Sequence, residues 1–232
     1  IWDQTDTGGP APAGFSYGPE WTNAQLNAEL GSSPPGIVRE TDTEGHGTQV
    51  LGAAAGDGSG TNGNEAAGKY ACMAPAADLI MVKSDLNDGR VIDAANYIVQ
   101  KAASLGKRAV INMSFGHHLG PHDGTRPLDL GLSSIAASTP IVVAASNDGA
   151  RAVHAAAQFA VNGSTTIRVN VWDFLSFTRV NFWFPGSDAY TCTVAAPGFS
   201  GSVTAANGTE TAGPAGPTTV NISNGADPSH PN

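Results

Sequence analysis

Short apolar runs alternate with helical periodicities over residues 1–150 of this 232-residue chain. The apolar runs open the chain at Ile1-Trp2 and recur at residues 78–82, 108–115 and 141–145. Strands that alternate with helices are typical of βαβ units. The pattern therefore predicts an α/β fold in which helices cover a mostly parallel sheet.

Four helices are predicted from spacing and from end signals. Thr22 is a favourable N-cap for a short helix that stops at Gly31. Small apolar residues at 48–55 predict a helix that packs closely against its neighbours. Apolar positions at helical spacing predict two more helices, at residues 91–102 and 128–136.

The pattern changes after Ala150, where alternating polar and apolar residues replace the helical stripes. Alternation of this kind, interrupted by turn dipeptides, predicts strands. The predicted strands are residues 166–171, 180–184 and 190–194. Residues 211–219 are predicted as a loop.

Two domains follow from this change of pattern. Residues 1–152 form the predicted α/β domain, and residues 153–232 form a predicted all-β module, most simply a sandwich.

Composition excludes several classes of partner. The net charge of −9, from 20 acidic and 11 basic residues, argues against nucleic acid and anionic lipid as partners. No run of 18 apolar residues occurs, so no membrane span is predicted. Cys72 and Cys192 are expected to be two isolated thiols. The low lysine content favours a secreted or cell-envelope protein but leaves the localisation unknown.

Polar residues follow or flank the predicted strands at four places. Asp3 follows the first strand, His46 opens a helix, and Ser114 and Asn147 follow two later strands. Ligands of a parallel sheet bind at the carboxyl ends of its strands. Together these four residues supply an acid, a base, a backbone turn and an amide donor at that edge, which is the set of features that acyl transfer requires.

Four segments then resemble, in the same order, those of the subtilase family. They are GHGTQVLGAAAG at residues 45–56, MAPAADL at 73–79, VINMSFG at 110–116 and VVAASNDG at 142–149. The resemblance implies a subtilisin-like three-layer sandwich around the sheet. It also implies a bacterial subgroup in which a jelly-roll-like module, here residues 153–232, is inserted into the protease domain.

The resemblance implies a serine endopeptidase that hydrolyses peptide bonds through an Asp-His-Ser triad. His46 corresponds to the general base. Asp3 is preferred as the carboxylate that orients the imidazole, because it directly follows the strand, and Asp6 is the alternative. Asp6-Thr7-Gly8 also resembles a pepsin-like catalytic loop, but that mechanism needs a second such loop and the chain has none.

The same resemblance implies groups that bind the substrate. Asn147 corresponds to the amide that donates to the oxyanion. Ser114, Phe115 and Gly116 correspond to the strand edge along which an extended peptide or protein substrate pairs. Ser146 stands where most subtilases carry glycine.

No serine of the chain fits the nucleophile. Gly-Thr occurs at residues 47–48, 60–61, 124–125 and 208–209, and none of these is followed by Ser. The resemblance implies that the nucleophile lies C-terminal to Asn232, so that the chain is a fragment, inactive alone, whose partner is the missing part of the same protein. The alternative is an inactive pseudoprotease, or a peptide-binding or surface-binding module.

No metal site is predicted. His117, His118, His122 and Asp123 are metal-ligand types, but their spacing fits no known motif. The acidic, glycine-rich residues 57–65 leave calcium open as a ligand, although they lack the alternating oxygen ligands of an EF-hand. No other cofactor is expected.

Overall fold

The structure is a computed structural model, and its described residues fall into two compact units. The described residues are 1–31, 36–38, 40–60, 63–158, 160–170, 180–183, 190–195, 203–205, 209–215 and 218–224. The first unit comprises Ile1–Gly116 and Gly131–Ser146, and the second comprises His117–Leu130 and Asn147–Asn232. The domain boundary after residue 152 stays a prediction.

The first unit begins with a parallel strand pair built on a buried tryptophan. Strand β1, Trp2–Asp3, pairs with β2, Val82–Lys83. The Trp2 side chain is fully buried, and its ring centroid lies 4.6 Å from that of Phe15 and 5.0 Å from that of Tyr97. This aromatic cluster anchors the strand that carries Asp3.

The four predicted helices are present. They are α1 at Asn23–Glu29, α2 at His46–Ala55, α3 at Asp88–Ser104 and α4 at Pro127–Ala136. Thr22 and Gln25 form a capping box at the start of α1, which explains why the chain turns helical there. Gly31, with a φ of 85°, follows its end.

The helices differ in how they are held. The apolar face of α3 is buried at Val91, Ala95, Tyr97 and Ala102, as its helical spacing predicts. Helix α2 has no buried residue, so the prediction that it packs closely on its neighbours is wrong. Its glycines and alanines present little apolar area, which gives packing little to stabilise. Polar contacts hold both of its ends, because Asp42 accepts from Thr48 N at its first turn and Ala74 N donates to the Ala54 carbonyl at its last turn.

A second parallel pair completes the first unit. Strand β3, Ile111–Met113, pairs with β4, Ile141–Val143, and residues 111 and 141 are in register. Helix α4 lies between them in the chain, so β3, α4 and β4 form a βαβ unit. The α/β class is confirmed. The described strands of the first unit form two separate parallel pairs rather than one sheet, and the three-layer arrangement stays a prediction.

The second unit contains two antiparallel pairs. Strand β5, Cys192–Val194, pairs with β6, Val203–Ala205, and β7, Thr209–Ala215, pairs with β8, Thr218–Asn224. The strand predicted at 190–194 is therefore present in shortened form. The prediction of a loop at 211–219 is wrong, because most of that segment belongs to the β7–β8 hairpin.

The other predicted strands are not formed where the chain is described. Residues 166–170 and 180–183 have no strand pairing, and residues 171 and 184 lie outside the described residues. The all-β sandwich thus stays a prediction.

Two simpler predictions concern cysteines and membranes. Cys72 and Cys192 are both unpaired thiols, as predicted. Within the described residues, no helix combines the length and apolar character that a membrane crossing requires.

Candidate active site

Asp3 is a buried carboxylate at the end of β1. Its Oδ1 accepts hydrogen bonds from the Thr5 backbone N at 2.9 Å and from the Thr5 hydroxyl at 2.6 Å. Its own backbone N donates to the Pro19 carbonyl at 3.0 Å. Only 4% of the residue is exposed. These contacts leave Oδ2 as the oxygen that could orient another group.

His46 is the first residue of α2, and its side chain is exposed. Gly45 precedes it as the N-cap with φ 76° and ψ −11°, a left-handed conformation that glycine adopts without strain. No hydrogen bond joins His46 to Asp3 in the part of the chain that is described. The structure therefore leaves the pairing of this acid and this base as a prediction.

Asp42 is a residue of this region that the sequence did not single out. Its Oδ2 accepts from the backbone N and the hydroxyl of Thr48, at 2.8 and 2.7 Å. Its Oδ1 accepts from the backbone N of Gly45 at 2.8 Å and of Glu44 at 3.2 Å. The Thr48 hydroxyl and these backbone donors lower the pKa of Asp42 to about 2. Its position three residues before an N-cap glycine, which cannot cap with a side chain, was the available signal.

A cavity of about 290 Å³ lies beside the segment that follows Asp3. Gln4, Asp6, Tyr17 and Arg90 are among the residues that line it. The Gln4 amide donates to the Arg90 carbonyl at 3.0 Å, and the Arg90 guanidinium donates back to the Gln4 carbonyl. These reciprocal bonds fix the segment after Asp3 against the start of α3. In this loop the half-buried Asp6 accepts from the backbone N of Thr7 at 2.7 Å and of Gly8 at 3.0 Å.

Ser114, Phe115 and Gly116 follow β3 in the first unit. The Ser114 hydroxyl oxygen accepts from the Asn112 amide at 3.0 Å, and the Phe115 side chain is half-buried. Among the described residues β3 pairs with β4 alone. Its other edge is therefore of the type that an extended peptide can join through main-chain hydrogen bonds.

Asn147 belongs to the second unit, directly after Ser146. Ser146 has a φ of 74°, in the left-handed region that favours glycine. Asp148 bonds the His118 ring at 2.8 Å and the Arg151 guanidinium at 3.1 Å. These two contacts fix the chain on the far side of Asn147, whose own side chain is exposed.

The side chains of the loop with three histidines form hydrogen bonds with other protein groups. His118 bonds Asp148, the His122 ring lies 3.2 Å from the His118 carbonyl, and Asp123 accepts from Thr125. Across the described residues, no three His, Cys, Asp or Glu side chains form a group that could hold a metal ion. In the 57–65 segment, Asp57 accepts from the Ser59 backbone N, and calcium binding there stays untested.

The fold and the site define an α/β protein with two parallel strand pairs and an exposed histidine at the start of a small-residue helix. The chain belongs to the subtilase family, because the model of that family matches residues 22–225. The family is one of serine peptidases. His46, Asn147 and the Ser114 segment lie within the matched residues, and Asp3 precedes them. No solved structure matched the chain.

Proposed function

We propose that this chain is part of a serine endopeptidase that hydrolyses peptide bonds with His46 as its general base. The observation that carries the proposal is the family match across an exposed histidine at the first position of α2. An exposed ring can meet both a substrate and a nucleophile. We further propose a subtilisin-like three-layer sandwich with a jelly-roll-like insert at residues 153–232.

In the proposed reaction a serine outside these 232 residues attacks the scissile carbonyl. The hydroxyl proton passes to His46 as the oxygen–carbon bond forms, and the carbonyl π electrons move to its oxygen. The imidazolium then gives the proton to the leaving amine as the carbon–nitrogen bond breaks. Water then attacks the acyl-enzyme in the same way, giving its proton to His46. The proton passes to the serine oxygen as the ester bond breaks and the acid product leaves. The Asn147 amide would donate to the oxyanion in each step.

Asp3 is the proposed orienting carboxylate. Its support is a buried position at a strand end and an Oδ2 that accepts no hydrogen bond among the described residues. Asp6, whose carboxylate bonds its own turn, is the alternative acid. Replacing each by Asn distinguishes them, since the true triad acid should lower kcat by about 10⁴-fold. The other variant should leave kcat within about threefold of wild type.

The proposal is tested by peptide hydrolysis in the natural protein that carries this chain. His46→Ala should lower kcat by about 10⁶-fold, and Asn147→Ala by about 10² to 10³-fold with little change in folding. Arg168→Ala, an exposed control outside the candidate site, should leave kcat close to wild type. Retention of full activity by His46→Ala would refute the proposal, and complete inactivity of wild type would favour a pseudoprotease.

A further inference from the structure

One carboxylate ties together the backbone on both sides of His46. We propose that Asp42 is a positioning residue, which fixes the first turn of α2 and so holds His46 in place for proton transfer. The inference rests on the proposed serine-peptidase function. It adds a residue that does not touch the substrate and acts through the base.

The start of α2 needs such a group. The first backbone N–H groups of a helix have no partner within the helix, and an N-cap side chain usually accepts from one of them. The N-cap here is Gly45, which makes no side-chain hydrogen bond. Asp42 accepts instead from Thr48 N, at the third helical position, and from Gly45 N. His46 lies between these two fixed amides.

Packing does not supply the same restraint. Helix α2 has no buried residue, and a Cβ added at Gly52 would meet no atom within 4 Å. Within the described residues, the Asp42 contacts are therefore the hydrogen bonds that restrain its first turn from outside the helix. The Thr48 hydroxyl adds a fourth hydrogen bond to the same carboxylate. A negative group at a helix N-terminus also interacts favourably with the helix dipole.

The carboxylate keeps its charge across the range in which peptidases work. Its hydrogen bonds from Thr48, Gly45 and Glu44 hold the pKa of Asp42 at about 2. All four donors therefore stay bonded at neutral pH. An asparagine at this position would keep one acceptor oxygen but place an NH₂ group where two donors of Thr48 now point.

The kinetic test compares variants of the natural protein with a matched control. Asp42→Asn should lower kcat by about 10- to 100-fold and change KM by less than about twofold, because misplacing a base affects the chemical step. Thr48→Val should show a smaller loss, and Thr48→Ser should restore the hydroxyl and the rate. Glu29→Gln is the matched control. The Glu29 carboxylate also accepts two backbone hydrogen bonds, from Gly36 N and Ile37 N, but Glu29 lies at the end of α1.

A structural readout accompanies the kinetics. In an acid titration followed by NMR, the Gly45 and Thr48 amide signals should move together with a midpoint of about 2, and Asp42→Asn should abolish this transition. If Asp42→Asn had the wild-type kcat, measured well below its unfolding temperature, the inference about Asp42 would be overturned and the proposed function would stand. A kcat loss that Glu29→Gln reproduces would overturn the inference in the same way. An inactive wild-type protein would overturn the proposed function and this inference together.

Discussion

Replacing Ser146 by glycine should stabilise the chain, although most substitutions destabilise proteins. Ser146 has a φ of 74°, and an L residue in the left-handed region costs roughly 1–2 kcal/mol relative to its preferred conformations. Glycine removes this strain but loses about 0.5–1 kcal/mol more backbone entropy on folding. The expected net gain is about 0.5–1 kcal/mol, which corresponds to a rise in Tm of roughly 1–4 °C.

Two companion variants isolate the backbone effect. Ser146→Ala removes the hydroxyl but keeps the Cβ, so the glycine variant should be about 1 kcal/mol more stable than the alanine variant in urea unfolding. Ser133→Gly applies the same change within α4, where it should destabilise by roughly 0.5 kcal/mol. If the Ser146 glycine and alanine variants were equally stable, the argument from backbone strain would be refuted.

Two further predictions concern the aromatic cluster of the first unit. Trp2→Phe should destabilise the chain by about 2–3 kcal/mol in urea unfolding. The substitution removes buried area and leaves the Tyr17 and Gly18 carbonyls without their indole donor. A change under about 0.5 kcal/mol would contradict this prediction. Burial, and then the hydrogen bond to Glu20, raise the pKa of Tyr97, so the neutral phenol contributes stability that is complete below about pH 10 and is lost as the pH rises further. The free energy of unfolding, measured from pH 8 upward, should therefore fall more steeply with pH in wild type than in Tyr97→Phe. Equal slopes in the two proteins would contradict the assignment.

Local sequence signals predicted the helices, because their determinants lie close together in the chain. Thr22 and Gln25 are three residues apart, and their side chains cap each other's backbone. Strand lengths were predicted less well. Residues 108–115 contain a strand of only three residues, because its length depends on pairing with β4 rather than on its own composition. The β7–β8 hairpin was missed for the same reason.

The candidate site was predictable to a similar extent. His46 was placed correctly at the start of a helix, since the motif and the helical stripe coincide. Asp42 was missed because its role depends on a loop that folds back toward Thr48, and turn geometry of this kind is not visible in spacing. The strain at Ser146 could be suspected only from the glycine that most subtilases carry there. Whether Asp3 meets His46 depends on tertiary placement, which no local pattern determines.

The central claim is that this chain forms the base-bearing part of a serine peptidase site. Its most direct test is reaction of the natural protein with a serine-directed fluorophosphonate, followed by mass spectrometry of the labelled peptide. We predict a single labelled serine in a Gly-Thr-Ser sequence outside these 232 residues, and loss of labelling in His46→Ala. Absence of labelling in protein that hydrolyses peptides, or equal labelling in His46→Ala, would contradict the account.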